Sequence, residues 1–248
     1  MAKIKLSEIS TRAPKDFGKE VTKKKTITIL EGLDDLQNLL FAEGKHSILV
    51  VLQAMDAGGK DGLIRDVFGK MNPQGVRVTS FKTPTPEELS HDFLWRIHDH
   101  APSKGMIQIF NRSHYEDILI TRVKGWINDD TAKKRMQAIN DFERLLTEHN
   151  NTTIIKIYLH VSPEEQQERL KERISNPAKQ WKYNEQDFEE AKIWDKYMHA
   201  YEDAFENCNE IPWNIIPADQ NWYKEYLVAS ILHETLEKFD MKYPGLKK

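Results

Sequence analysis

Ser47-Ile-Leu-Val-Val-Leu-Gln-Ala-Met-Asp-Ala-Gly-Gly-Lys-Asp-Gly62 runs from an apolar stretch straight into a glycine-rich turn that carries a lysine. An apolar run bounded in this way predicts a strand buried on both faces, followed by a phosphate-cradling loop and a helix. The spacing matches G-x-x-x-x-G-K-[ST], in which backbone N–H groups surround phosphate oxygens and the lysine reaches the transferable phosphates. Ala57, Gly58, Gly59, Lys60, Asp61 and Gly62 are therefore the candidate phosphate-binding set. Two positions depart from the pattern: Ala54 stands at the first glycine, and Asp61 stands where a Ser/Thr hydroxyl would hold Mg²⁺. Asp56 adds a second carboxylate. Carboxylates in an anion-binding loop repel phosphate unless a divalent cation lies between them, so the loop predicts Mg²⁺ as well as phosphate. The alternative is a glycine-rich turn that joins strand to helix and binds nothing.

Outward from this stretch, strands alternate with helices. Ile29, Leu33, Leu36, Leu39 and Leu40 fall at helical spacing and predict a helix from Thr26 to about Glu43. Val76 to Phe81, Gly105 to Phe110, Thr152 to Leu159 and Trp213 to Ile216 read as further strands. Helices are expected from Leu63 to Lys70, from Thr83-Pro84-Thr85-Pro86 through Trp95, after the Ser162-Pro163-Glu164-Glu165 capping box, and from about Trp222 to Phe239. The alternation implies an α/β fold, a parallel sheet with helices on both faces, within a single domain spanning residues 1–248. Residues 1 to about 25, ending in Lys23-Lys24-Lys25, read as a basic, solvated N-terminal arm.

Ligands in open α/β sheets bind outside the carboxyl ends of the strands. Phe110-Asn-Arg-Ser-His-Tyr-Glu-Asp117 follows the third strand and should meet the phosphate loop there. Arg112 suits bidentate phosphate contact, while Glu116 and Asp117 suit a metal or an acceptor group. The competing reading is a polar helix start with carboxylates complementing the dipole. His114 reads as structural. Arg169 and Arg173 are four apart and share a helix face, followed by the Asn176-Pro177 break and Lys179-Gln-Trp-Lys182. A basic helix-loop of this kind suits a lid over residues 165–185 that closes on phosphate charge; the alternative is an exposed charged helix. Phe93, Leu94 and Trp95 read as core, with Arg96 as a ligand contact.

Composition narrows the class. The 248 residues are 39% hydrophobic and 30% charged with net charge -3, which fits a soluble enzyme and argues against a general nucleic-acid binder. Cys208 is the sole cysteine, so neither a disulfide framework nor a cysteine zinc site is expected. Neither a signal-peptide core nor a run of membrane-spanning length is present, and a cytoplasmic location with no membrane partner is expected.

Taken together, Ala54 to Gly62, Asn72-Pro-Gln-Gly-Val-Arg-Val78, His91-Asp-Phe-Leu-Trp-Arg96, Phe110 to Asp117, Asn176-Pro-x-Lys-x-Trp-Lys182 and Ile216-Pro-Ala-Asp219 closely resemble the family-2 polyphosphate kinases. The Asn111…Glu116 form of the second block resembles the class III branch. The resemblance implies a three-layer P-loop kinase fold with a helical lid, similar to thymidylate-kinase-like enzymes. It implies transfer of a phosphoryl group from inorganic polyphosphate to AMP and then ADP, giving ATP, with guanine nucleotides as further candidates. Asp56 and Asp117 would then hold Mg²⁺, with Mn²⁺ as a substitute. Lys60, Arg112, Arg169 and Arg173 would contact phosphate, and Glu116 would help accept the monophosphate. Arg12 and the lysine run of the arm would contact polyphosphate. A homo-oligomer, dimer or tetramer, is expected. The rival readings are an ATP-dependent nucleoside monophosphate kinase and a non-catalytic nucleotide or polyphosphate sensor.

Overall fold

Strand β1 (Ser47–Ala54) is buried at every position. A strand with no exposed face is stable only inside a sheet that is covered on both sides. The structure, a computed structural model, describes residues 4–246 and supplies that environment. Five parallel strands run in the order β2-β3-β1-β4-β5, with β2 at Val76–Ser80, β3 at Ile107–Asn111, β4 at Thr152–His160 and β5 at Trp213–Pro217. The helices are α1 (Lys19–Glu43), α2 (Lys60–Asp66), α3 (Pro86–Leu89), α4 (Trp95–His98), α5 (Ile120–Val123), α6 (Asp129–Asn150), α7 (Pro163–Ser175), α8 (Glu185–Lys192), α9 (Trp194–Asn207) and α10 (Asn221–Glu237).

Successive side chains of a strand point to opposite faces, so the sheet divides the core in two. Ile48, Val50 and Leu52 meet Leu33 and Leu40 of α1, Leu63 of α2, and Val228 and Leu232 of α10. Leu49 and Val51 lie on the other side with Met136, Ile139 and Phe142 of α6, and Tyr201 and Phe205 of α9. The result is a three-layer α/β fold of the P-loop kinase type. From β1 the chain moves to β2 on one side, and from β3 it moves to β4 on the other. The crevice between the carboxyl ends of β1 and β3 is thus the topological switch point, where such sheets bind ligands. Among the described residues no helix is long and apolar enough to cross a membrane.

Several boundaries differ from expectation. Helix α1 begins at Lys19 rather than Thr26, which places Lys23, Lys24 and Lys25 on its exposed side. The helix expected through Trp95 is two short pieces, α3 and α4. Thr85 caps α3 with a reciprocal box, its hydroxyl accepting from the Glu88 N–H at 3.2 Å while Glu88 accepts from the Thr85 N–H at 2.6 Å. Trp95 is half exposed and stacks on His91 with centroids 4.1 Å apart, so it is not a core residue. At α7, Ser162 caps the Glu165 N–H and Pro163 takes the first position. Glu165 itself pairs with Arg169, which leaves the box one-sided.

The segment read as a solvated arm is docked from Ile4 onward; its first three residues lie outside the described ones. Leu6 is 1% exposed, and its N–H donates to Glu202 at 2.8 Å. His160 Nε2 lies 3.0 Å from the Leu6 carbonyl and 3.2 Å from that of Ile9. The Thr11 hydroxyl donates to Asp219 at 2.8 Å, and the Asp219 N–H donates to the Thr11 carbonyl at 3.1 Å. Ile4 and Ile9 pack beside Leu6 against the same core, but three apolar residues in a short polar segment are too few to show a period in sequence. Leu6→Ala is expected to lower stability by about 2–4 kcal/mol in urea unfolding, as for other buried leucines. A loss below about 0.5 kcal/mol would mean that the segment contributes nothing to the fold.

Candidate active site

The loop after β1 is held in a strained shape. Ala57 has φ 59° and Gly59 φ 93°, both in the left-handed region, where a side chain is costly. A Cβ at Gly58 would lie 2.6 Å from the Ala54 Cβ, and one at Gly59 would lie 2.4 Å from Lys224 Nζ. Gly58 is there for room and Gly59 for its conformation as well. The first residue of α2 is Lys60, whose buried ammonium donates to the Ala54 carbonyl at 2.9 Å and the Met55 carbonyl at 3.3 Å. Burial, and next the nearby Arg112 charge, pull its pKa down to about 8, although Asp56, Glu116 and Asp61 oppose the shift.

Arg112 follows β3 directly and has φ 63°. Its N–H donates to the Leu52 carbonyl at 3.1 Å, which ties this left-handed bend to β1 and turns the guanidinium toward the phosphate loop. The guanidinium pairs with Asp56, and with Glu116 at 3.2 Å. Glu116, helped by Asp56, holds Arg112 well above the ordinary arginine range against the effect of burial. Gln53 completes the group. Its side-chain amide lies 2.9 Å from both Glu116 Oε1 and the Ser113 hydroxyl, and the orientation with the nitrogen toward Glu116 and the oxygen toward Ser113 satisfies both. Ser113 in turn caps the 3₁₀ turn His114–Asp117.

The opposite side of the loop is built by α7 and α10. Arg169 donates to the Ala57 carbonyl at 3.2 Å and to the Ala218 carbonyl at 2.7 Å, while Gln166 donates to the Asp56 carbonyl at 2.9 Å. Lys224, buried near the start of α10, donates to the Gly59 carbonyl at 3.2 Å and to Asn221 at 2.8 Å. Burial and then Arg169 pull Lys224 down to about 8. In the last turn of α7, Arg173 pairs with Asp187 and donates to the Lys182 carbonyl at 3.2 Å. Lys182 reaches back to Asp61 at 2.6 Å, and Asn111 donates to the same carboxylate at 3.2 Å. The basic helix-loop is therefore closed onto the phosphate loop.

Most of the expected residues meet here. Asp56, Lys60, Arg112 and Glu116 form one group, Ala57, Gly58 and Gly59 shape the turn, and Arg169, Arg173, Asp61 and Lys182 border it, whereas Gly62 lies inside α2 with open space where a side chain would be. Lys179 pairs instead with Glu172 at 2.6 Å, within the loop itself. Arg96 is buried and committed to the protein: it donates to the Lys82 carbonyl at 2.9 Å and lies over the Phe81 ring. Asp117 faces Arg96 at 3.9 Å and Arg135 at 3.6 Å, whereas Asp56 faces Arg112. Burial pushes Asp117 up to about 6 despite the two guanidiniums. Lys224, Gln53 and Gln166 were not foreseen. The signal was present for Gln53, a polar residue inside an otherwise apolar strand, and for Lys224, a lysine in the first turn of a helix that follows a strand end.

Among the described residues no group of three or more His, Cys, Asp or Glu side chains forms a metal cage. A divalent cation that also binds substrate phosphates needs only one or two protein carboxylates, and Asp56 stands on the phosphate loop itself. Asp117 keeps one buried carboxylate oxygen, Oδ2, without a hydrogen-bond partner, which leaves it a cation donor beside Asp56.

A lysine-bearing phosphate loop at the switch point of a parallel sheet, bordered by a basic helix-loop, defines a phosphotransferase of the P-loop kinase class. The polyphosphate kinase 2 (PPK2) family model matches residues 16–244, and the chain belongs to that family. It is 50% identical over 229 residues to the AMP/ADP-polyphosphate phosphotransferase of Meiothermus ruber, covering 92% of this chain and 85% of that protein. It is 42% identical to the ADP-polyphosphate phosphotransferase of Rhodopseudomonas palustris over 88% of this chain and 80% of that one. The crystal structure of polyphosphate kinase 2 from Arthrobacter aurescens TC1 superposes with a TM-score of 0.95 at 42% identity, covering all of this chain and 90% of the other.

Two lysines lowered to about 8 have a measurable consequence. A bound polyanion favours the ammonium form, so above about pH 8 binding must first take up a proton. Affinity for inorganic tripolyphosphate is expected to be constant below that pH and to fall by up to about tenfold per unit per lysine above it. Titration calorimetry in buffers of different ionisation enthalpy reads the proton uptake. Lys224→Met should reduce that uptake by about half. A pH-independent affinity would place the anion elsewhere.

Proposed function

We propose that this chain transfers the terminal phosphoryl group of inorganic polyphosphate to AMP, and then to ADP, giving ADP and ATP. The observation that carries this reading is the placement of cations on both sides of one strained loop, Lys60 and Arg112 on one side and Arg169 and Lys224 on the other. A cradle that is cationic on both sides suits a chain of phosphates, with the transferred group in the middle. The name of the Meiothermus relative supports the same acceptors.

The attacking group is a nucleotide phosphate oxygen that is already ionised, so the site needs no strong general base. Catalysis then rests on alignment and charge neutralisation. Lys60 and the loop N–H groups hold the transferred phosphoryl group, and Arg112 bridges it to the acceptor. Glu116, fixed by Arg112 and Gln53, borders the acceptor phosphate. A divalent cation, Mg²⁺ or Mn²⁺ in its place, supplies charge neutralisation at the phosphate oxygens when bound, with Asp56 as its protein ligand. Arg169, Arg173, Lys179 and Lys182 form a lid over residues 165–185 that opens by breaking the Lys182–Asp61 pair and closes over bound phosphates to exclude water. Arg96 and Asp117 support the acceptor side from within the protein.

The deciding experiment supplies polyphosphate, a divalent cation and AMP without ATP, with products resolved by chromatography. ADP followed by ATP is expected; phosphorylation of AMP that strictly requires ATP would establish a nucleoside monophosphate kinase instead. Lys60→Ala and Asp56→Asn should each lower turnover by at least about 10²–10³-fold in a folded protein, the range for loss of one charge-stabilising group. Wild-type turnover in either variant would remove the loop from the reaction.

Glu116→Asn separates the acceptors. AMP has one phosphate fewer than ADP and depends on contacts that ADP replaces in part with its second phosphate. Turnover with AMP is expected to fall at least about tenfold further than with ADP, or roughly 1.4 kcal/mol of transition-state stabilisation. Equal losses would make Glu116 a general support of Arg112.

A further inference from the structure

Beneath the turn that carries Arg112 and Glu116 lies a charged cluster that the proposed reaction does not use. Lys156, inside the apolar β4, is fully buried, and Glu143 of α6 is 1% exposed. Lys156 Nζ donates to Glu143 Oε2 at 2.8 Å, to the Tyr115 hydroxyl at 3.0 Å and to the Cys208 carbonyl at 2.9 Å. All three ammonium protons are thereby placed. The Tyr115 hydroxyl donates to Glu143 Oε1 at 2.9 Å, and His114 Nε2 lies 3.3 Å from the same oxygen. Burial pushes the Glu143 carboxyl up, but His114 and Lys156 outweigh it and keep the group ionised.

Stability alone does not account for such a pair, because apolar residues of similar volume often replace a buried ion pair at no cost. Directionality does. The cluster joins α6, β4 and the approach to β5 to a single 3₁₀ turn, His114–Asp117, an element too short to hold its own shape. That turn follows the left-handed Arg112 across a single residue, its cap Ser113, and Arg112's strained backbone persists only where its surroundings fix it. Tyr115 is clamped further, with the Trp213 ring 4.7 Å away, edge-on. Tyr115 and His114 therefore transmit the position of the ion pair to Glu116 on one side and, through Ser113, to Arg112 on the other.

We propose that Glu143 and Lys156 are positioning residues for phosphoryl transfer, acting through Tyr115 and His114 to hold Arg112 and Glu116 against the phosphate loop. The inference rests on the reading of the site given above. Neither residue touches substrate in this scheme. The pair should therefore govern turnover, with polyphosphate affinity left to Lys60, Arg169 and Lys224.

The test compares Tyr115→Phe with the paired variant Glu143→Leu/Lys156→Met in the full chain. It reads kcat and KM for AMP and polyphosphate, thermal unfolding, and amide exchange of residues 111–118. In each folded variant kcat is expected to fall, by about fivefold or more for Tyr115→Phe and about 10²-fold for the paired change, the scale of a misplaced reacting group. KM for polyphosphate should stay within about twofold, and exchange across 111–118 should quicken while the strands remain protected. Normal kcat in a folded variant overturns the proposal, and so does a lowered kcat with unchanged exchange across the turn. If the paired variant does not fold, Tyr115→Phe alone decides. Should the wild-type enzyme fail to phosphorylate AMP from polyphosphate, the functional reading falls, while the exchange data still report whether the ion pair holds the turn.

Discussion

A lysine ammonium buried against two backbone carbonyls at the mouth of the sheet is the constraint on which the site depends. The Lys60 charge cannot be left in a low-dielectric setting without compensation, and Asp56, Asp61 and Glu116 supply it. Those carboxylates are in turn shared with other cations: Asp56 and Glu116 with Arg112, and Asp61 with Lys182. Arg173 and Asp187 extend the alternation outward. Each of these cations is already paired with a carboxylate. On the proposed reading, a polyanion would therefore bind by exchange, displacing internal partners rather than filling a bare positive pocket. The exchange limits affinity for isolated anions and favours ligands that engage several cations together.

The sheet delivers these groups to one place because its centre is unconditionally apolar. With β1 buried on both faces, the chain can leave only at the strand ends, and the reversal of connection between β1 and β3 opens the crevice at their carboxyl ends. Two helices then approach from outside. α7 brings Gln166 and Arg169 to the loop carbonyls, and α10 brings Lys224. The loop is thus fixed from behind by β1 and β3, from within by the Gly58 N–H donating to the Met55 carbonyl at 3.0 Å, and from above by side chains that bind its carbonyls.

Much of this was legible in the residues. The strand, the glycines of the loop, Lys60 and the Arg112–Glu116 block are local patterns, and short-range chemistry writes them directly into sequence. Helices α6, α8 and α9 were not placed, since their polar faces dilute the apolar spacing until the sheet gives them a side to bury. The start of α1 was missed because Lys19 to Lys25 is polar and gains its helical context from later turns. Arg96 shows the opposite failure. Its residue type suited ligand contact, but the partners that claim it, Lys82 and Phe81, come from other parts of the chain. Lys156 in the middle of an apolar strand was an open signal, and only Glu143 and Tyr115 give it meaning.

The left-handed backbone at Ala57 and Arg112 bears on how such a protein evolves. Glycine is the residue that tolerates this conformation freely, so Ala57→Gly and Arg112→Gly are the substitutions that relieve local strain. At Arg112 the relief would remove the guanidinium that joins β3 to the phosphate loop. A stabilisation campaign guided by unfolding temperature alone would accept that exchange and drift toward a sturdier, inactive scaffold. Natural selection for turnover moves the other way and maintains the strained arginine at the expense of folding free energy, so the tolerance of this chain for further destabilising mutations is set partly by its own active site.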